Sequence, residues 1–164
     1  MPFFALLLFV LLPQTAFAKD LREKIGVGFS NQFASTPSIS VRYGLPARSP
    51  AINIGVEVDV GFDFYSDSPS TNDFNKWFSG VRVLYGFVAE DNMNLYAIAG
   101  AGFLFQGTDD ARVRVQPALG AEFFLYGVEN LGFSAEWGLN FDMGSSNRVA
   151  TVSGAPLVGL HYYF

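Results

Sequence analysis

The sequence predicts an all-β protein, an eight-stranded antiparallel up-and-down transmembrane β-barrel. Three observations carry this. Apolar and polar residues alternate in strand-length segments, the polar face is rich in glycine and paired charges, and the apolar face ends in aromatics. In AINIGVEVDVGFDF, residues 51–64, Ile52, Ile54, Val56, Val58, Val60, Phe62 and Phe64 alternate with Asn53, Gly55, Glu57, Asp59, Gly61 and Asp63. A period of two marks a strand with one apolar and one acidic face. Alternation alone leaves open which face meets water, because a soluble sheet buries its apolar face and a membrane barrel turns it to lipid.

The alternation recurs along the chain. The first strand is 24–33, KIGVGFSNQF, followed by the link ASTP and the strand 38–45, SISVRYGL. The turn PARSP leads into 51–64, and the longer loop YSDSPSTNDF leads to 76–88, KWFSGVRVLYGFV. AEDNMN connects to 95–106, LYAIAGAGFLFQ, whose AIAGAG core is small and apolar on both faces. GTDDA connects to 112–126, RVRVQPALGAEFFLY, and GVEN to 131–142, LGFSAEWGLNFD. MGSSNRVA leads to the last strand, 151–164, TVSGAPLVGLHYYF. Each segment is about the 9–11 residues that cross a bilayer at a tilt, and turn-forming residues punctuate the gaps. An even number of antiparallel strands closes without a free edge. PARSP, AEDNMN and GVEN then form periplasmic turns, and the remaining four connections face outward.

The ends and composition agree. MPFFALLLFVLLPQTAFA has an apolar run from Phe3 to Leu12 and the small-residue pattern Ala16-Phe17-Ala18. This reads as a secretory signal peptide over 1–18, cleaved after Ala18, with an outer-membrane barrel domain over 19–164. No Lys or Arg precedes the apolar run, so the terminal amine supplies its only positive charge. The chain has no cysteine, which excludes disulfides and thiolate chemistry, and its net charge of −5 argues against a nucleic-acid partner. Its 18 Phe and 17 Gly, with Lys only at 19, 24 and 76, are the composition of an exported barrel.

The non-apolar face decides between lipid and a soluble core. It carries Gly26, Gly28, Gly44, Gly55, Gly61, Gly80, Gly86, Gly120, Gly132, Gly138 and Gly159. Glycine weakens strands, and a water-facing surface favours Thr, Lys and Glu. A tight eight-stranded interior, filled by side chains, needs small residues. The cations on this face are Arg42, Arg82, Arg112 and Arg114, set against Glu57, Asp59, Asp63, Glu122, Glu136 and Asp142. Arginine suits buried bidentate carboxylate pairs. On the apolar face Phe62, Phe64, Trp77, Tyr43, Phe87, Phe123, Phe141 and Tyr162 lie near strand ends, as interfacial girdles do, while Trp137 falls mid-strand. The apolar face is therefore expected to meet lipid. A soluble lipocalin-like barrel is the alternative.

At the C-terminus Val158, Leu160, Tyr162 and Phe164 share one face, and the chain stops on Phe164. This pattern resembles the terminal-strand signal that the outer-membrane assembly machinery recognises. With the signal peptide and the strand count, the whole mature chain resembles the small OmpA/OmpX-like outer-membrane β-barrel family. The resemblance implies residence in the cell outer membrane of a Gram-negative bacterium. It also implies outer-membrane lipids, lipopolysaccharide and the β-barrel assembly machinery as partners. Two departures are Pro117 and Pro156 inside strands, where each removes a ladder donor, so a bulge or strand end is expected at each.

The strongest chemical constellation is the inward charge set Arg42, Glu57, Asp59, Arg82, Arg114, Glu122 and Glu136. Glu57 and Asp59 are expected beside Arg82, with Arg42, Glu136 and Glu122 extending the cluster across the interior. One reading is an ion pathway with exchangeable salt bridges. The other is a plug of paired charges, favoured because eight strands leave no open porin-like channel. His161, the single histidine, is expected to point inward. Some eight-stranded barrels, the acyltransferase PagP and the deacylase PagL, are lipid A enzymes that use a His with a Ser. Here His161 is flanked by Leu160 and Tyr162, and Ser153 on the same face is about 26 Å away along the strand. No catalytic residues, cofactor or metal site is therefore expected. Asp109-Asp110 and Glu90-Asp91 read as solvated turns. The expected role is structural or surface-related, with transport of ions or hydrophobic compounds second and lipid A modification third.

Overall fold

The computed structural model describes residues 19–34, 36–48, 52–64, 75–106, 110–144, 148–151 and 157–164. The strands are β1 Ile25–Ser30, β2 Ser38–Leu45, β3 Ile54–Phe64, β4 Asn75–Ala89 and β5 Met93–Gln106. They continue with β6 Asp110–Leu125, β7 Val128–Met143, β8 Arg148–Thr151 and β9 Leu157–Tyr163. Every neighbouring pair is antiparallel, and β9 pairs back onto β1, with Phe29 opposite Leu160. β8 and β9 both pair with β7 and share one position in the ring, so the segments close an eight-stranded barrel. The signal-peptide expectation over 1–18 falls outside the described residues, as do Pro156, Ser153 and the loop 65–74.

Period two in the sequence becomes inside and outside. Val58 is 45% exposed, whereas Glu57 and Asp59 on either side of it are 0% exposed. Val27, Val41, Val60, Val81 and Val83 join Val58 on the outer surface, with Tyr43, Tyr85, Phe87, Phe123 and Tyr162 toward the end that holds Lys19 and Phe164. Phe62, Trp77 and Phe103 lie toward the opposite, distal end, where the Trp77 ring stacks on Phe105 at 4.1 Å. An apolar band wrapping a closed barrel is stable only against a non-aqueous surrounding. AIAGAG resolves the same way, with Ile98, Gly100 and Gly102 turned inward and Ala99 and Ala101 outward.

The inward glycines are seats for larger neighbours. A methyl added at Gly26 would lie 2.7 Å from the Tyr163 ring, and one at Gly120 would lie 2.6 Å from Tyr96. At Gly28 it would overlap the carbonyl oxygen of Leu160 on the paired strand. The turn between β6 and β7 is only Tyr126-Gly127, tighter than GVEN, and Gly127 takes φ +86, a left-handed conformation that glycine adopts without strain.

Further sequence expectations change. The segment MGSSNRVA, expected as an outward loop, ends in β8, Arg148–Thr151, which pairs with the distal part of β7, and the last strand begins at Leu157 rather than 151. β1 stops at Ser30 rather than continuing to residue 33. The side-chain oxygen of Asn31 accepts the backbone N–H of Val158 at 2.8 Å, and the chain then turns inward, burying Gln32 and Phe33 completely. No bulge or strand end forms at Pro117: β6 is continuous, and its register against β5 and β7 is the same before and after it. The missing donor is absorbed as a gap in the β6–β7 ladder at Gln116 and Pro117, while Pro117 still faces Ala99 on β5. Asp63 reaches the distal rim and is exposed rather than enclosed.

The end that holds Phe164 is crossed by Lys19–Lys24. Asn53 donates to the Lys19 carbonyl at 2.9 Å, the Glu23 N–H reaches the Gly44 carbonyl at 2.7 Å, and Lys19 N–H reaches the Glu90 carbonyl at 3.0 Å. Arg22 hydrogen-bonds Asp20 in this segment and holds that carboxyl below its usual range.

Candidate functional site

Register builds the central charge layer. Arg42 on β2 lies opposite Glu57 on β3, which lies opposite Arg82 on β4. Glu57 bridges both guanidiniums, accepting from Arg42 Nε and from Arg82 Nη1, the latter at 2.9 Å. Arg42 then crosses the interior to Glu122 on β6 at 3.0 Å, and touches Glu136 on β7 at 3.5 Å. Arg82 also donates to Glu136. Neutral donors hold the carboxylates further: Tyr96 gives its hydroxyl hydrogen to Glu136 at 3.0 Å and Tyr163 to Glu122 at 2.8 Å. All of these side chains are buried. Charges removed from water are tolerated only with such dense pairing.

The structure thus brings together Arg42, Glu57, Arg82, Glu122 and Glu136. Asp59 sits at the edge of the layer and accepts from Ser30 at 2.9 Å. Arg114 lies apart, toward the distal end, in a bidentate pair with Asp142 at 2.6 and 2.8 Å. Between the two layers sits the inward-turned segment. The Gln32 side chain accepts from Arg42 at 3.1 Å and donates to Ser134 at 2.8 Å, and its carbonyl takes a hydrogen bond from Gln116. The Phe33 carbonyl takes one from Arg114 at 2.8 Å, and its ring packs 6.2 Å from Phe78.

His161 points inward and is fully buried. Its Nε2 meets Ser40 Oγ at 2.5 Å across Gly28, whose missing side chain leaves the path open. A serine–histidine pair therefore exists, formed with Ser40 from another strand. It lacks two parts of a nucleophilic site. His161 Nδ1 has no hydrogen-bond partner among the described residues, so no carboxylate orients the ring, and both side chains are 0% exposed, which denies a substrate an approach. Among the described residues no cluster of His, Cys, Asp or Glu has metal-holding geometry.

Val158, Leu160 and Tyr162 face outward on β9, and Phe164, just past its end, is exposed. Sequence reasoning missed Gln32, Phe33, Tyr96, Tyr163 and the Ser40 partner. The parity of Tyr163 with His161 and Gly159 marks it as inward. The turn of Phe33 has a weaker signal, Asn31 two residues ahead.

No family model matches the sequence, and no curated protein does. Among solved structures the chain is similar to the outer membrane protein Ail of Yersinia pestis, determined in a phospholipid bilayer nanodisc. The TM-score is 0.52 at 14% sequence identity, over 86% of this chain and 97% of that one. The shared feature is the fold, a closed eight-stranded antiparallel barrel of the outer-membrane type.

Proposed function

We propose that this chain is an integral outer-membrane barrel with a structural or surface role and an interior closed by its own side chains. The observation that carries this is the Arg42–Glu122 contact, which spans the bore between opposite walls, backed by the fully buried Gln32 and Phe33. An eight-stranded interior is just wide enough for side chains to fill, and these groups support a bore closed to porin-like function. Export through a signal peptide removed after Ala18 belongs to the same proposal, and N-terminal sequencing of the mature protein tests it by finding Lys19 first.

The membrane reading is tested by heat-modifiable migration of the protein in an outer-membrane fraction. The proposal expects the unboiled protein to run apart from the boiled one. Recovery in the soluble periplasmic fraction without a shift overturns it.

Transport is the second reading. Arg42 contacts Glu57, Glu122 and Glu136 at once, so its salt bridges have partners to exchange. Conductance that disappears in Arg82→Gln favours it. A lipid A activity is disfavoured by the burial of Ser40 and His161. A change in lipid A mass on deletion, restored by the wild type but not by His161→Ala, reverses that judgement.

A further inference from the structure

The strap Lys19–Lys24, which crosses the end holding Phe164, is gripped through its backbone. The Asn53 side chain clamps it. Its oxygen accepts the Leu21 N–H at 3.3 Å, and its nitrogen donates to the Lys19 carbonyl at 2.9 Å and to Asn94 at 3.3 Å. Asn53 is itself buried, and its carbonyl takes the Gly86 N–H at 2.6 Å. Gly44 supplies the other hold. It accepts from Glu23 at 2.7 Å and donates to the Lys24 carbonyl at 3.0 Å, and a methyl there would overlap the Leu21 carbonyl. Leu21 shares a cavity of about 40 Å³ with Arg42, Tyr96, Glu122 and Tyr163, so the strap adjoins the charge layer.

Lys19 is anchored at three points. Its N–H donates to the Glu90 carbonyl at 3.0 Å, its carbonyl accepts from Asn53, and its side-chain ammonium lies 5.1 Å over the Phe124 ring. Asp20, Asp91 and Glu129 line the recess that Lys19 enters. Asp20 is matched by Arg22, whose remaining nitrogen donates to the Ala47 carbonyl. Asp91 and Glu129, with Glu90 beside Asp91, are exposed and have no ion pair among the described residues. Lys24 lies at the other end of the strap, on Gly44. The Lys19 side chain is thus the one unmatched cation described along this recess, against more than one carboxylate, and a second positive charge at the Lys19 nitrogen would be favoured there.

We propose that this end of the barrel is a seat for the chain's own free N-terminus, which locks the strap across the mouth. The proposal rests on the reading that the signal peptide is removed after Ala18. Hydrolysis of the Ala18–Lys19 amide by one water leaves a carboxylate on the departing peptide and an ammonium on Lys19. An α-amine titrates near about 8, so it is mostly charged at neutral pH. The Glu90 carbonyl then accepts from an ammonium in place of an amide N–H, a stronger, charge-assisted hydrogen bond.

The test uses barrels refolded in phosphatidylcholine nanodiscs, one beginning at Lys19 and one at Phe17, so that Phe17-Ala18 keeps the Lys19 nitrogen an amide. Trypsin is added at constant ionic strength, and cleavage after Arg22 or Lys24 is timed by mass spectrometry. Such cleavage follows the population in which the strap is off its seat. It should be about threefold faster in the chain beginning at Phe17. Asp91→Asn/Glu129→Gln, at exposed positions, should speed the Lys19 chain by a similar factor and leave the Phe17 chain unchanged. Asn53→Ala should speed both, about tenfold or more, through loss of its hydrogen bonds to the strap. Equal rates for the two chains overturn the proposal, as does a carboxylate effect that is the same in both. Heat-modifiable migration confirms that each barrel folds, and the two unsubstituted chains decide alone where a variant does not. N-terminal sequencing of the native protein separates the two failures. A native start other than Lys19 overturns the cleavage reading, whereas equal rates with a native Lys19 start overturn the seat alone.

Discussion

Arg42 and Glu122 are 80 residues apart in sequence and 3.0 Å apart in space, on strands at opposite walls of the barrel. One side-chain pair thus crosses the whole bore. The same guanidinium holds Glu57 on the neighbouring strand, so Glu57, Arg42 and Glu122 tie three strands together through the centre.

Val58 lies on the outer face near the middle of β3. Val58→Arg should cost about 2–4 kcal/mol if that face meets the bilayer core. The folded fraction in lipid vesicles, read by unboiled gel migration, should drop accordingly. Assembly equal to the wild type would mean that the faces are inverted.

Gly28 and Gly55 both lie in strands, but their surroundings differ. A methyl at Gly28 would overlap the Leu160 carbonyl, whereas at Gly55 its nearest neighbour would be 3.6 Å away. Gly28→Ala should therefore break the β1–β9 closure and prevent refolding, while Gly55→Ala should refold normally. Urea titrations of the two variants in vesicles compare them directly.

Much of this was legible in the sequence because parity is a strong constraint. A period of two assigns Glu57, Arg82 and Gly80 to one face and Val58 and Val81 to the other, whatever the tertiary structure. Neighbouring pairs such as Glu57 and Arg82 follow from counting back from a turn. Contacts across the bore do not. Arg42–Glu122 depends on how the sheet closes, and Ser40–His161 depends on the β1 register and on Gly28 between them. Phe33 also escaped, since on a continued β1 it would have pointed outward. The Asn31 side chain ends the ladder instead, by taking the N–H of Val158, and the next residues turn into the interior.

That inward turn is testable. Phe33 is fully buried against Phe78 and the backbone at Gly80 and Gly102. Phe33→Ala should destabilise the refolded barrel by about 3–5 kcal/mol, the cost of emptying a large buried aromatic site. A surface loop would lose less than about 0.5 kcal/mol on the same change. Urea titration distinguishes the two.

The charge layer predicts an asymmetry between breaking a pair and replacing it. Glu57→Ala leaves Arg42 and Arg82 each short of a buried acceptor and should cost about 3–5 kcal/mol. Replacing the distal pair together, as Arg114→Met with Asp142→Leu, should be milder than Asp142→Ala alone, because Arg114 is then not left without its carboxylate and only the Phe33 carbonyl loses a donor. Equal losses in the single and double distal variants would contradict the pairing.

Single-channel recording of the wild-type barrel in planar bilayers tests the closed interior most directly. With Arg42–Glu122 spanning the bore and Gln32 and Phe33 filling the space above it, no resolvable conductance is predicted at neutral pH. Stable ohmic openings from the wild type would contradict the closed interior and establish the transport reading instead.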